Sequence, residues 1–231
     1  KIRGIDIGGG TPTRLPAKQL ARLCQAMAPY AQDSGHAFPV SIETTPRIAS
    51  QEPEKLDVLS RGGVQRVSMG VQSFNAATLA LVNRRRQVEQ TERAMANLRA
   101  AGFQRLNLDI IFGLPGQTMQ DWESDLDRVI ALQPDSITTY DCLYRGKGRA
   151  LTKIAPSTPS PAIYGAMYDV GYAKLTAAGW HAPYGSVNFS RRADATGTSA
   201  CFEGRLLDGL PYLGLGNYAS SLRGTRWSFN T

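Results

Sequence analysis

Cysteine and histidine are scarce in this chain of 231 residues, which has three cysteines and two histidines. Cys24, Cys142 and Cys201 are too widely spaced for a zinc or iron-sulfur motif and too few for a disulfide scaffold. Neither an H-E-x-x-H nor a G-x-S-x-G motif is present. This scarcity argues against most hydrolase chemistry and is typical of a protein of the reducing cytoplasm.

Long hydrophobic runs are also lacking. No stretch approaches the length of a membrane span, and no charged and apolar leader is present at the start. The net charge of +7 suits an anionic partner, but its lysines and arginines are dispersed, and the short clusters Arg84–Arg86 and Arg191–Arg192 lack an aromatic RNA-binding motif beside them. We therefore expect a globular protein that binds neither a membrane nor a nucleic acid.

What the sequence does contain is an alternation of apolar strands and amphipathic helices. The predicted strands are Ile2–Ile7, Pro39–Glu43, Arg66–Val71, Arg105–Phe112 and Ser136–Tyr140, and the predicted helices are Leu15–Tyr30, Pro53–Arg61, Ala76–Val82, Glu89–Ala101 and Met119–Leu132. This order predicts an α/β fold with a parallel sheet covered by helices, either open or closed into a barrel.

The rhythm changes after Tyr140, where glycine, basic residues and then prolines accumulate. A domain boundary is therefore expected near residue 150, between a first domain of residues 1–150 and a second of residues 151–231. In the second, one helix over Ala162–Ala178, a strand over Trp180–Phe189 and a glycine-rich tail are predicted. We expect this part to pack onto the working face of the sheet.

A glycine-rich turn directly follows the first predicted strand. Gly8, Gly9 and Gly10 expose bare backbone there, and Thr11 and Pro12 lead out of the turn. Glycine permits close approach of a ligand, and proline stiffens the exit. A tight turn without a ligand would show the same pattern, so both interpretations stay open at this point.

Polar residues also occur at the ends of three later strands. Asp109 lies within an apolar strand, where an unpaired carboxylate is strongly destabilising. Glu43 and Gln72 follow two neighbouring strands. Ligands of α/β folds bind at this end of the sheet. A structural role for Asp109, and a solvated capping role for Gln72, are the alternatives.

Five motifs occur in order at these strand ends: G-G-G-T-P-T, S-I-E-x-x-P, G-V-Q-S-F-N, L-V-N-R and N-L-D-I-I-F-G-L-P-G-Q-T, with further matching segments at 179–190 and 211–221. Together they resemble the radical S-adenosylmethionine (SAM) enzymes related to oxygen-independent coproporphyrinogen III oxidase. The resemblance implies a partial (β/α)6 barrel with a small C-terminal α+β extension. It also implies a 4Fe-4S cluster, reductive cleavage of SAM, and an electron donor such as flavodoxin or ferredoxin.

The same resemblance implies roles for individual residues. The turn of Gly8, Gly9, Gly10 and Thr11 is expected to hold the methionine moiety of SAM. A first SAM would be bound by Gln72, Arg84 and Asp109, with Arg85 or Arg86 as alternatives to Arg84, and Glu43 would contact a second SAM. The C-x-x-x-C-x-x-C loop of the family does not occur in this sequence. We expect the cluster ligands and the first barrel strand upstream of residue 1, the alternative being a relative without a cluster.

The segment 138–149 resembles neither the decarboxylating oxidases nor the heme chaperones of this group. That difference favours the class C methyltransferase branch, in which a second SAM supplies a methyl or methylene group to an sp2 carbon of an aromatic substrate. Tyr140 and Cys142 are the candidate catalytic residues, Cys142 through proton or hydrogen transfer. Together with Tyr144 they would lie near that substrate, or would simply pack. Oxidative decarboxylation and heme binding are the alternative functions.

Overall fold

The computed structural model describes residues 2–32, 40–82, 84, 88–142, 157–184, 187–193 and 195–230. Its strands are β1 (Ile5–Ile7), β2 (Val40–Thr44), β3 (Arg66–Gln72), β4 (Arg105–Phe112), β5 (Ser136–Asp141), β6 (Asn188–Ser190), β7 (Ser220–Arg223) and β8 (Arg226–Phe229). Its helices are α1 (Ala17–Gln32), α2 (Pro46–Gln51), α3 (Pro53–Arg61), α4 (Ala76–Leu81), α5 (Val88–Ala100), α6 (Met119–Leu132), α7 (Pro161–Ala177) and α8 (Ala200–Leu206).

The first six strands form one sheet in chain order. Strands β1 to β5 pair in parallel, and β6 joins the edge of β5 antiparallel to it. Strands β7 and β8 form a separate hairpin. The predicted α/β class is confirmed, and the mostly parallel sheet is consistent with a partial barrel. The proposed domain division at residue 150 stays a prediction, although β6 extends the sheet of the first part.

The two faces of the sheet differ in chemistry. Apolar side chains such as Ile42, Met69 and Leu108 are almost fully buried and form the core beneath the helices. Their strand neighbours on the other face, such as Glu43, Ser68 and Asp109, are polar and line a cavity. Parallel strands are usually apolar on both faces. The polar inner face therefore marks the side of the sheet that encloses a ligand space.

Three details differ from the predictions. Thr45 and Pro46 start an unpredicted short helix, α2, because the Thr45 hydroxyl accepts a hydrogen bond from Ile48 N at 3.4 Å. The strand predicted over Trp180–Phe189 is confirmed only at its end, as β6: the chain turns at 183–184, where proline is unsuited to a strand, and His181 forms an isolated pair with Ser190.

The predicted glycine-rich tail contains regular structure as well. Helix α8 begins where the Ser199 hydroxyl accepts from Phe202 N at 3.1 Å, and the β7–β8 hairpin follows it. Across the described ranges, the helices are too short or too polar to cross a bilayer.

Candidate functional site

A cavity of about 220 Å³ opens on the polar inner face of the sheet. Three acidic side chains, from β1, β2 and β4, surround it together with one guanidinium from β3: Asp6, Glu43, Asp109 and Arg66. Hydroxyl groups of Ser41, Ser68, Thr138 and Tyr140 complete the strand contribution. Residues after the barrel close one side, namely Val187, Asn188, Thr198, Ser199 and Phe202. The cavity thus carries an excess of acidic groups.

Asp109 sits at the centre of a hydrogen-bond network across three strands. Its carboxylate accepts from Ser68 Oγ at 2.9 Å and from Asn107 Nδ2 at 2.7 Å. Asn107 is itself buried and also donates to Thr138 Oγ1 at 3.2 Å. The neighbours of Asp109 therefore hold its carboxylate towards the cavity. The hydrogen-bond partners that a buried carboxylate requires are here the neutral side chains of Ser68 and Asn107.

Desolvation is the main influence on the acidic groups of the cavity. It raises the pKa of Asp109, and hydrogen bonds from Ser68 and Asn107 together with the charge of Arg66 oppose that rise. Desolvation likewise raises the pKa of Glu43, and the neighbouring charges of Asp109 and Asp6 add to the effect. A cationic ligand placed among these carboxylates would relieve their repulsion.

The glycine turn and Glu43 lie side by side. A Cβ atom added to Gly8 would fall 2.7 Å from Glu43 Oε1, so a side chain at this position would displace the carboxylate from the turn. Gly9 and Gly10 have φ angles of +84° and +71°, which favour glycine. Thr11 follows in an extended conformation and precedes a short 3-10 turn. The turn therefore presents open backbone beside an acidic side chain.

Gln72 and Arg84 form a second group over Gly70. A Cβ atom at Gly70 would lie 2.6 Å from Gln72 Nε2 and 3.9 Å from Arg84 Nη1. Gln72 has a φ of +70° at a bulge in β3, which turns its side chain back over the strand. Gly70 is directly opposite Asp109 in the sheet. The structure thus brings Gln72, Arg84 and Asp109 towards one region, while Glu43 accompanies the glycine turn.

The two residues predicted near a substrate are placed differently. Tyr140 lines the cavity, is 49% exposed, and has its pKa raised to about 12, chiefly by desolvation and secondarily by the charge of Asp109. Cys142 lies beyond the end of β5, where its N–H donates to Phe112 O at 2.9 Å, and it is not a cavity residue. Tyr144, Arg85 and Arg86 lie outside the described residues.

Sequence reasoning missed the basic residue of the cavity and its acidic neighbour on β1. Arg66 is 7% exposed and donates to Ser41 Oγ and to Gly197 O, both at 3.1 Å. Asp6 accepts from Ser199 Oγ at 2.6 Å. The alternation of Arg66, Ser68 and Gly70 with apolar residues along β3 was the available signal, because it marks a polar strand face.

A second buried carboxylate, Asp125, binds residues that do not line the cavity, in the two sequence motifs G-V-Q-S-F-N and N-L-D-I-I-F-G-L-P-G-Q-T. It accepts from Ser73 Oγ at 2.7 Å, from Phe74 N at 2.6 Å and from Gln117 Nε2 at 3.2 Å. Gln117 also accepts from Leu114 N at 3.1 Å. These contacts join the loops after β3 and β4 to α6, so the S-F and G-L-P-G-Q segments are held against this helix and do not line the cavity.

The described part of the chain does not fit a metal cluster. No group of three or more histidine, cysteine, aspartate or glutamate side chains is placed there to hold a metal ion. Cys24 is buried in the core, and the two other cysteines lie apart from it, one just after β5 and one on α8. The location of cluster ligands upstream of residue 1 stays a prediction.

Comparison with known proteins agrees with this architecture. A family model of the radical SAM superfamily matches residues 1–129. The heme chaperone HemW of Synechocystis sp. is 31% identical over 226 residues, which are 95% of this chain and 52% of that protein. The oxygen-independent coproporphyrinogen III oxidase of Escherichia coli is 39% identical over 140 residues, which are 61% of this chain and 30% of that protein.

Solved structures point to the same group. The coproporphyrinogen III oxidase HemN of Escherichia coli, a radical SAM enzyme, superposes with a TM-score of 0.79 at 30% identity, covering 99% of this chain and 54% of that chain. The present chain therefore spans about half the length of HemN and of the HemW chaperone. It belongs to the radical SAM superfamily and is similar to the coproporphyrinogen III oxidases and heme chaperones within it.

Proposed function

We propose that the cavity binds SAM and that the chain forms the catalytic barrel of a radical SAM enzyme acting on a tetrapyrrole. The observation that carries the proposal is the charge of the inner face, where Asp6, Glu43 and Asp109 outnumber the single guanidinium of Arg66. SAM presents a sulfonium and an ammonium group, and both are cations that such a cavity attracts. Membership in the superfamily implies SAM and a 4Fe-4S cluster as cofactors.

The arrangement of donors and acceptors suits the parts of SAM. Exposed backbone at Gly9 and Gly10, beside the carboxylate of Glu43, suits an ammonium group. Asp109 can accept from ribose hydroxyls, and Arg84 can pair with a carboxylate. In our proposal the glycine turn with Glu43, and Gln72 with Arg84 and Asp109, are two separate binding groups. One electron from a reduced 4Fe-4S cluster would split bound SAM into methionine and a 5'-deoxyadenosyl radical, and that radical would remove a hydrogen atom from the substrate.

The substrate class rests on the relatives. The similar oxidases are named for coproporphyrinogen III and the similar chaperones for heme, and neither name concerns methyl transfer. Oxidative decarboxylation of a propionate side chain is therefore the reaction we favour. Methyl transfer from a second SAM is the other candidate, supported by the sequence of segment 138–149. In either case an electron donor such as flavodoxin or ferredoxin, and a cytoplasmic location, remain proposals.

Heme binding without turnover is less well supported by the described residues. His181 is the one histidine among them, and its exposed side chain lies outside the cavity. The chain has one further histidine, His36, beyond the described ranges. Axial ligation inside this cavity therefore has no described imidazole to use.

One experiment separates these functions. The full-length protein, reconstituted anaerobically with iron and sulfide and then reduced, is incubated with methyl-deuterated SAM and either coproporphyrinogen III or an aromatic acceptor. Unlabelled 5'-deoxyadenosine with carbon dioxide, read by mass spectrometry, is the expected result. Deuterated 5'-deoxyadenosine with S-adenosylhomocysteine would instead establish methyl transfer.

The matched variants are Asp109→Asn, in the cavity, and Asp57→Asn, on the exposed surface of α3. We expect 5'-deoxyadenosine formation to fall at least about tenfold in the first, since a charged hydrogen-bond acceptor is lost, and to be unchanged in the second. Absence of SAM binding and of 5'-deoxyadenosine in the reconstituted wild-type protein would refute the proposed function.

A further inference from the structure

The buried guanidinium of Arg66 lies at the end of the cavity formed by the N-terminal ends of the strands. Arg66 is the first residue of β3, aligned with Ser41 of β2, which in turn is aligned with Asp6 of β1. Its two terminal nitrogens donate to Ser41 Oγ and Gly197 O. Its Nε atom is buried and has no hydrogen-bond partner in the described part of the chain. A buried arginine with an unpaired donor requires an electrostatic reason.

That reason is the ring of charged and titratable groups around it. The groups that act on Arg66 or on its acidic neighbours come from every packed element: Asp6, Glu43, Arg105, Asp109, Tyr140 and, from α8, Arg205. The charge of Arg66 favours the ionised form of Asp109, Asp6 and Glu43, against their desolvation and mutual repulsion. Among the described residues that line the cavity, Arg66 is the only cation.

We propose that Arg66 is a positioning residue of the SAM site, whose buried charge keeps Glu43 and Asp109 ionised so that the cavity binds a cationic ligand at neutral pH. The inference rests on the proposed binding of SAM and assigns to Arg66 no direct contact with it. This role explains why a cavity suited to a cationic ligand contains one basic side chain, Arg66.

The C-terminal extension fixes this guanidinium. Gly197 has a φ of +80°, and a Cβ atom there would lie 2.7 Å from Phe189 O, so glycine allows its carbonyl to reach Arg66. Two residues later, Ser199 binds the carboxylate of Asp6. The extension therefore holds two of the charged groups at this end of the cavity.

The test compares Arg66→Gln, which removes the charge, with Arg66→Lys, which keeps it. The dissociation constant of SAM for the full-length protein, reconstituted anaerobically with iron and sulfide, is measured by calorimetry from pH 5 to pH 9. Without the neighbouring cation the carboxylates ionise only at higher pH, so the midpoint of SAM binding in R66Q should rise by about one pH unit. The affinity should fall most, by up to about tenfold, at pH values below the wild-type midpoint, and at pH 9 it should be within about twofold of wild type. R66K should retain the wild-type midpoint.

An unchanged midpoint in a folded R66Q protein would overturn the inference. Where R66Q does not fold, the double variant R66Q/D6N replaces it, because it removes one carboxylate together with the guanidinium. The pH midpoint of SAM binding in R66Q/D6N should exceed that in D6N alone. Carboxyl NMR titration of the apoprotein provides a measurement independent of SAM, and the pKa values of Glu43 and Asp109 should rise in R66Q. Failure of wild-type protein to bind SAM at any pH refutes the proposed function instead, while the NMR result still decides whether Arg66 is the counter-charge.

Discussion

Asp109, on the inner face of β4, and Asp125, on α6, are both carboxylates held by hydrogen bonds, yet their surroundings differ. Asp109 accepts from side chains on its inner face and opens onto the cavity. Asp125 is 1% exposed and accepts from a hydroxyl, a backbone amide and a side-chain amide that leave no side open. Burial raises the pKa of both.

The difference teaches that a buried acidic residue does not by itself identify a binding site. The two carboxylates differ in what they bind. Asp125 accepts hydrogen bonds from the loops after β3 and β4 and so holds them against α6, whereas Asp109 faces the cavity and can still accept a hydrogen bond from a ligand. Stability should therefore depend mainly on Asp125, and SAM affinity mainly on Asp109. Three predictions test this division.

The largest expected effect is on stability in Asp125→Ala. Three donors, from Ser73, Phe74 and Gln117, would lose their buried acceptor, and we expect a loss of about 4 kcal/mol in the free energy of unfolding. Urea unfolding measures it. Asp127→Ala is the control, because Asp127 lies on the same helix and its ion pair with Lys174 is largely exposed; a loss there equal to that in D125A would contradict the prediction.

The next effect is a pH dependence that Asp125 imposes on folding. Burial raises its pKa from 3.8 to about 6, so the folded protein takes up a proton in this window that the unfolded chain does not. Stability from this group is therefore present at low pH and is lost as pH rises from about 4 to about 6, by about 2 to 3 kcal/mol. Urea unfolding of wild type and D125N at pH 4 and pH 6.5 isolates this contribution, since the other acidic groups titrate in both proteins. Parallel pH profiles would show that folding does not raise the pKa of Asp125.

The smallest effect on stability is expected in Asp109→Asn. The asparagine keeps one acceptor but removes a desolvated charge, so the free energy of unfolding should change by less than about 1 kcal/mol. The dissociation constant of SAM should nevertheless rise at least about tenfold. Calorimetry measures the dissociation constant of SAM, and thermal unfolding of the same preparation measures the change in stability. A variant that is strongly destabilised but binds SAM normally would reverse the roles of Asp109 and Asp125.

Local signals allowed much of this fold to be predicted. The period of apolar residues located β1 to β5 and most helices, and the glycine run located the turn at Gly8. The signal for Asp125 was also present, because it shares a helix face with the buried Trp122 and Val129, but several acidic residues around it gave it the appearance of a solvated face.

Other features depended on contacts that the sequence pattern does not reveal. Arg66 can be buried because Ser41 and the distant Gly197 accept its hydrogen bonds. No local sequence pattern indicates that Gly197 lies beside Arg66. Helix α8 and the hairpin after it occupy a stretch rich in glycine, where turn signals outweighed the capping signal of Ser199. The grouping of Glu43 with the glycine turn required the register of β1 and β2.

The bond between Asp6 and Ser199 joins residues 193 positions apart, and that between Arg66 and Gly197 joins residues 131 apart. Contacts of such separation form late, because a long loop must close before they stabilise anything. During synthesis on the ribosome, the strands can pair while one end of the cavity still lacks its wall. Competence for ligand binding is thus acquired after the sheet itself, when the segment around residue 199 reaches the first strand.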